Sequence, residues 1–158
     1  MIKIFIKTLI IFLTFGITSC SYKPIFSEKN YNFGIGNMSF LGEKDINKVI
    51  EKRLELIKKV NKKNKKIYNI LVETEKNKKI VSKDSKGDPV KFEFIILINL
   101  KVTENEKLLV DKLIEKKNIY DNDTDKFKLK QKEQIILDNI SRKISESIIS
   151  TIINLNDS

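Results

Sequence analysis

The chain has 158 residues and a net charge of +10, from 31 lysines and arginines against 21 aspartates and glutamates, and it contains no histidine. The missing imidazole removes the commonest general base and metal ligand, and a single cysteine excludes an intramolecular disulfide framework. A chain of this length holds one domain around one core.

The first residues, MIKIFIKTLIIFLTFGITSC, place Lys3 and Lys7 ahead of an uncharged run from Thr8 to Ile17. That run is too short to span a bilayer, which needs about 20 apolar residues. A basic start, a short apolar centre and small residues at the end describe a secretory signal over residues 1–19. Ile17-Thr18-Ser19-Cys20 resembles the bacterial lipobox. The resemblance implies a diacylglycerol thioether on Cys20, cleavage after Ser19 and a further acyl chain. One acyl chain holds a protein only marginally, so stable anchoring takes two or three. The competing reading is an uncleaved anchor with an incidental cysteine. Ser21 follows the cysteine, and by the enterobacterial sorting rule serine there permits export to the outer membrane.

Losing Lys3 and Lys7 with the signal lowers the charge from +10 to +8. A basic domain outside the cytoplasm points to anionic partners such as lipid headgroups or lipopolysaccharide phosphates. Arg53 and Arg142 are the only arginines, and the excess of lysine, isoleucine and asparagine is that of an AT-rich genome, which accounts for much of the basicity. Arginine is preferred for bidentate phosphate recognition, so its scarcity argues against nucleic acid.

Ser21 to Asn30 reads as a tether interrupted by Pro24. Tyr31, Phe33 and Ile35 alternate, and Met38 and Phe40 resume after Gly34-Ile35-Gly36, which predicts a strand with a glycine bulge. Asp45 or Asn47 is placed to cap a helix to about Val60, in which Ile46, Val49, Ile50, Leu54 and Ile57 share one face. Asn61 to Lys66 is a basic loop. Ile67 to Thr74 predicts a strand, with Tyr68, Ile70 and Val72 on one side. Glu75 to Asp88 reads as a polar segment ending in the turn Gly87-Asp88-Pro89. Val90, Phe92, Phe94, Ile96, Ile98, Leu100 and Val102 alternate without a break, and Asn105 lies in the turn after them. Lys107 to Tyr120 fits a helix through Leu109, Leu113 and Ile114, or the returning arm of a hairpin through Leu108 and Val110. The hairpin is favoured, because a strand as long as 90–103 needs a partner. Asp121-Asn122-Asp123 ends that element. From Thr124 to Asn154 the pattern is helical, with Ile136, Ile140, Ile144, Ile148 and Ile152 four apart and Leu137, Ile149, Ile153 and Leu155 widening the stripe. The order β-α-β-β-β-α predicts an α+β two-layer sandwich, with two helices on one face of a mostly antiparallel four-stranded sheet and a domain over residues 31–155.

Catalytic constellations are missing from the sequence. Asp121, Asp123 and Asp125 lack the glycine and glutamate of a calcium loop and read as a solvated turn and helix cap. Gly34-Ile35-Gly36 lacks the third glycine of a phosphate loop. No catalytic residue, metal ligand or cofactor other than the lipid on Cys20 is expected, and the chain is not expected to be an enzyme.

With these parts in this order, the chain resembles the LptE family of lipopolysaccharide-assembly lipoproteins in its alphaproteobacterial form. The residues that carry the resemblance are Cys20-Ser21-Tyr22-Lys23-Pro24-Ile25-Phe26, then Tyr68-Asn69-Ile70-Leu71-Val72, Tyr120-Asp121-Asn122 at the close of the hairpin, and the long last helix. The sequence departs from the family in having Lys91 where the hairpin start is arginine-rich, and isoleucine in place of alanine in the last helix. The resemblance implies a non-catalytic outer-membrane lipoprotein that plugs the β-barrel LptD, assists its assembly and works with it in lipopolysaccharide transport to the outer leaflet. It also implies lipopolysaccharide contacts, for which Lys62, Lys63, Lys65, Lys66, Lys83, Lys86 and Lys91 are the candidates. The alternative function is a periplasm-facing lipoprotein that binds lipid or assists a transporter.

Overall fold

The computed structural model describes residues 33–60 and 66–156. The expected signal peptide and tether, Cys20 and Tyr31 lie outside the described residues. The elements are β1 (Phe33–Gly42), α1 (Lys44–Val60), β2 (Lys66–Lys83), β3 (Pro89–Glu104), β4 (Lys107–Asp121) and α2 (Lys126–Asn156). They form the α+β sandwich expected from the pattern, with one four-stranded sheet in the order β1-β2-β3-β4. β1 runs parallel to β2, while β2, β3 and β4 form an antiparallel meander.

Alternation decides which face of the sheet is covered. Ile70, Val72 and Thr74 of β2 pair with Val102, Leu100 and Ile98 of β3, and with Tyr68 and Ile96 on the same face all are buried. Ile114 and Tyr120 extend the same face onto β4. β1 joins this face in two phases. Phe33 and Ile35 are buried, and Met38 and Phe40 pack against the core beyond a register shift between Ile35 and Met38. The expected glycine bulge is that shift, and the Asn37 N–H beside it donates to Asn69 Oδ1 at 2.9 Å.

The helices close the face. Ile46, Ile50, Leu54 and Ile57 of α1, and Leu137, Ile140, Ile144, Ile148 and Ile152 of α2, join the sheet residues in one core. Each such side chain, fully buried, contributes about 1.5–3 kcal/mol. The Ser141 and Ser145 hydroxyls are buried within α2 and donate to the carbonyls of Leu137 and Ser141, so neither is left unsatisfied.

Three sequence expectations are corrected or decided here. Residues 107–121 form a strand, the hairpin arm, rather than a helix. Its turn places Asn105 and Glu106 at φ 47° and 67°, so both central residues are left-handed as a two-residue hairpin requires. The segment from Glu75 is not a polar loop: β2 continues to Lys83 because every residue from Glu75 to Ile80 has a partner on β3. Cross-strand pairing overrides the weak strand preference of its lysines and asparagine. At the start of α1, Glu43 takes the cap position, and its carbonyl accepts the first helical bond from the Asn47 N–H at 2.9 Å. Asp45 sits in the first turn, where a carboxylate complements the helix dipole.

Asn47 is instead buried in a knot that joins three elements. Its Nδ2 donates to the Leu41 carbonyl at 3.0 Å, while the Thr74 hydroxyl lies 3.0 Å from Asn47 Oδ1 and accepts from the Glu43 N–H at 2.8 Å. Gly42 passes through this knot at φ 89°, and a Cβ there would collide with the Thr74 carbonyl oxygen. Gly87 has nearly the same φ, 88°, but open space around it. Gly87→Ala is expected to cost about 1–2 kcal/mol, the strain of a left-handed residue with a side chain. Gly42→Ala is expected to cost well above about 3 kcal/mol, because the backbone must also move. Urea unfolding of the two variants checks this, and equal losses would mean that the collision is relieved at no cost. Glu106→Gly, by contrast, is expected to raise stability by about 1 kcal/mol in the same assay by removing a strained left-handed side chain.

Candidate functional site

Because β1 ends where Gly42 pairs with Thr74, β2, β3 and β4 run on past it, ending at the tip of the β2–β3 hairpin. The covered face changes character there. Lys76, Lys78 and Ile80 continue the phase of Tyr68 to Thr74, so two amines occupy positions that lower down are apolar. Lys76 Nζ pairs with Glu43 Oε2 at 3.1 Å. Lys78 Nζ lies 2.6 Å from Glu133 Oε1 of α2 and 4.0 Å from the centroid of the Phe92 ring. The Tyr120 hydroxyl donates to the same Glu133 oxygen at 2.7 Å, and its ring packs against Phe94 and Phe92 at 5.0 and 5.8 Å. One carboxylate thus ties together the hairpin, β4 and the start of α2.

The electrostatics fix the protonation states. Burial drives the Glu133 carboxyl upward, but hydrogen bonds from Lys78 and Tyr120 and the charges of Lys78 and Lys76 outweigh it, so its pKa is lowered. Burial raises the Tyr120 phenol, and its hydrogen bond to Glu133 and that carboxylate's charge raise it further. Glu133 is therefore an anion and Tyr120 a neutral donor across the neutral range, and the arrangement offers no group poised to exchange a proton near pH 7. Its role is to hold three elements.

The lysines expected to contact an anionic lipid do not form one group. Lys62, Lys63 and Lys65 lie outside the described residues. Lys66 pairs with Phe33 at one end of the sheet, whereas Lys83, Lys86 and Lys91 lie at the hairpin tip. The 17 steps along β2 from Lys66 to Lys83 span roughly 56 Å. At the tip, Asp84 organises the turn: its carboxylate accepts from the Lys86 and Asp88 N–H groups at 2.9 and 2.8 Å. Asp84 and Asp88 offset Lys83 and Lys86, and Lys91 Nζ lies 3.6 Å from Asp121. The tip is therefore less basic than its lysines suggest. Its other feature, which the sequence reading missed, is apolar: Ile80, Val81 and Val90 are 50%, 48% and 40% exposed. Ile80-Val81 amid lysines was the available signal.

The aspartates at the end of β4 serve the chain itself. Asp123 Oδ1 accepts from the Asp125 N–H, and Asp125 Oδ1 accepts from the Phe127 and Lys128 N–H groups, which caps α2. Among the described residues no acidic cluster is arranged to hold a metal ion, and no helix is long and apolar enough to cross a membrane.

No protein-family model and no curated protein sequence matches the chain. Solved structures do. The crystal structure of rare lipoprotein B from Shewanella oneidensis is similar at 15% identity, with a TM-score of 0.57 over 76% of this chain and 98% of that one. The chain has the rare lipoprotein B fold. Lipoprotein B from Nitrosomonas europaea, solved by NMR, shares it at 16% identity and a TM-score of 0.58, covering 84% and 93% of the two chains. A minor lipoprotein from Acinetobacter baumannii does so at 11% identity and a TM-score of 0.53, covering 77% and 92%. The described domain thus accounts for nearly the full length of these folds, and the rare lipoprotein B likeness lies in element order and packing.

The Glu133 cluster sets a pH dependence. Its folded pKa lies below the unfolded one, so the carboxylate contributes stability that is present above the ordinary carboxyl value and lost as pH falls through the folded value. In Glu133→Gln, the loss of melting temperature between about pH 5 and about pH 3 is expected to be shallower than in the parent. Thermal unfolding followed by circular dichroism checks it, and parallel curves would remove Glu133 from the acid sensitivity.

Proposed function

We propose that the chain is a lipid-anchored outer-membrane lipoprotein of the LptE type, which occupies and assists the assembly of an LptD-like β-barrel in lipopolysaccharide transport. The observation that carries this is a conjunction. A lipobox-like sequence ending in Cys20 precedes a domain with the rare lipoprotein B fold, and that is the fold of the LptE family.

The site chemistry supports a role without catalysis. The Glu133 cluster, with its shifted titrations, is a structural pin, and the aspartates cap a helix. Lipopolysaccharide contacts are assigned to the hairpin tip, where Lys83, Lys86 and Lys91 supply amines for phosphates and Ile80, Val81 and Val90 supply apolar surface for acyl chains. Lys66, at the other end of the sheet, is left out of that assignment.

The test is affinity recovery of the tagged protein from detergent-solubilised outer membranes, with mass spectrometry of what accompanies it. Stoichiometric recovery of an LptD-like barrel is expected. Recovery alone, or with inner-membrane transporter subunits, would replace this reading with the lipid-binding or transporter-accessory one. In parallel, Cys20→Ser is expected to abolish labelling by palmitate and to move the protein out of the membrane fraction. Unchanged labelling would end the lipoprotein reading.

A further inference from the structure

The covered side of the sheet ends at β4, an outer strand, so one side of its backbone has no strand partner among the described residues. Along its last four residues, Asn118 to Asp121, this edge forms one wall of a groove of about 490 Å³. The other wall is the first half of α2, through Lys128, Gln131, Lys132, Ile135 and Ile136. The volume is within the range of about 300–1,000 Å³ typical of ligand sites. Its features point to one kind of occupant.

First, Ile135 is 62% exposed on α2 although the helix has a full apolar stripe on its buried face. With Ile136 it makes an apolar wall beside an open strand edge. Secondly, Lys132 reaches across the groove, and its Nζ donates to the Asp121 carbonyl at 3.2 Å. An amine is thus standing in for the N–H that a neighbouring strand would present to this carbonyl. Thirdly, the charge is one-sided. Lys126, Lys128, Lys130 and Lys132 crowd the first two turns of α2, whose first turn holds no acidic residue and whose dipole opposes them. Lys128 meets Asp125 only at 3.9 Å, and Asp121 faces Lys91. Asp125 caps the helix, but the groove itself is lined by Lys128 and Lys132 against Asp121 alone, which leaves it net positive and suited to an anionic counterpart.

We infer that the β4 edge and the start of α2 form a docking groove for an extended acidic segment of a partner protein, which adds to the sheet as a fifth strand. Strand addition between an edge strand and a flanking helix uses backbone bonds for affinity and alternate side chains for specificity. The alternating donors and acceptors of Asn118 to Asp121 suit a peptide backbone. Apolar side chains of the incoming strand face Ile135 and Ile136. Its carboxylates face Lys128 and Lys132, and Lys132 exchanges the Asp121 carbonyl for a carboxylate as the strand arrives. A second copy of this chain is a poor occupant, because it brings the same lysines to the seam. The groove lies on β4 and α2, beside the hairpin tip where Asp121 pairs with Lys91, and this inference does not depend on the barrel partnership proposed above.

The test uses the whole protein, labelled with ¹⁵N and held in neutral detergent, and a synthetic nine-residue peptide alternating valine with glutamate. The control has the same charges but prolines at two central valines, which forbids strand pairing. The valine–glutamate peptide is expected to shift and slow the exchange of amides in Asn118–Asp121, while the proline peptide does neither. Lys132→Glu is expected to weaken binding roughly tenfold. Ile135→Ser removes an exposed apolar side chain without adding charge and is also expected to weaken it. Lys58→Glu, on α1, is expected to leave it unchanged. Equal binding of the proline peptide would reduce the site to charge attraction and overturn the proposal. So would no binding at millimolar peptide, displacement of the peptide by anionic lipid vesicles, or shifts at β4 that track protein concentration and mark self-association.

Discussion

The turn at Gly42 is the constraint on which the layout rests. A chain leaving a parallel strand must reverse to place a helix over the sheet. Here it does so within one residue, at a left-handed backbone angle packed against the Thr74 carbonyl. Thr74, Asn47 and the Leu41 carbonyl satisfy one another in a place closed to water, where an unpaired polar group costs about 1–3 kcal/mol. The knot therefore fixes three things together: where β1 stops, where α1 begins and which residue of β2 they meet. Everything beyond Thr74 on β2 lies outside the parallel pair.

That sets the problem which Glu133 solves. Past the knot the inner face has no β1 and no α1 to cover it, yet β2 and β3 continue. Aliphatic residues there would be half-wetted. Lysines lay their methylene stems over the sheet and carry their charge outward, which suits a margin of this kind. Lys78 does so across the Phe92 ring and ends on Glu133. An exposed ion pair contributes little, about 0–1 kcal/mol, but Glu133 is largely shielded and also receives the Tyr120 hydroxyl. The long α2 is thereby fastened at its start, as its isoleucines fasten its middle and end.

The sequence showed the parts whose signal is local and left out those that form only on assembly. β3 was legible because seven apolar residues alternate from Val90 to Val102, and α2 because its isoleucines recur every four residues. The upper half of β2 was not, since Lys76, Asn77, Lys78 and Lys79 have little strand preference of their own and are held by partners on β3. The helix cap was placed two to four residues late, at Asp45 or Asn47, because Asp45 belongs to the first turn and Asn47, a good capping residue by type, is used in the buried knot. The candidate lysines were grouped by chemistry. The fold separates Lys66 from Lys83 by the length of a strand, which composition cannot reveal. The wall of the groove joins Asn118 to Ile135 across a turn, and neither residue marks it alone.

The β2–β3 hairpin is also a measure of length. β1 enters the sheet at Phe33, beside Lys66, at the end opposite the tip. The 17 steps along β2 from Lys66 to Lys83 cover roughly 56 Å at about 3.3 Å per step. That distance is fixed by strand pairing on both sides of β3, so the tip is carried on a rigid boom. Lengthening each arm of the hairpin by two residues would advance it by about 7 Å, with every core contact left in place.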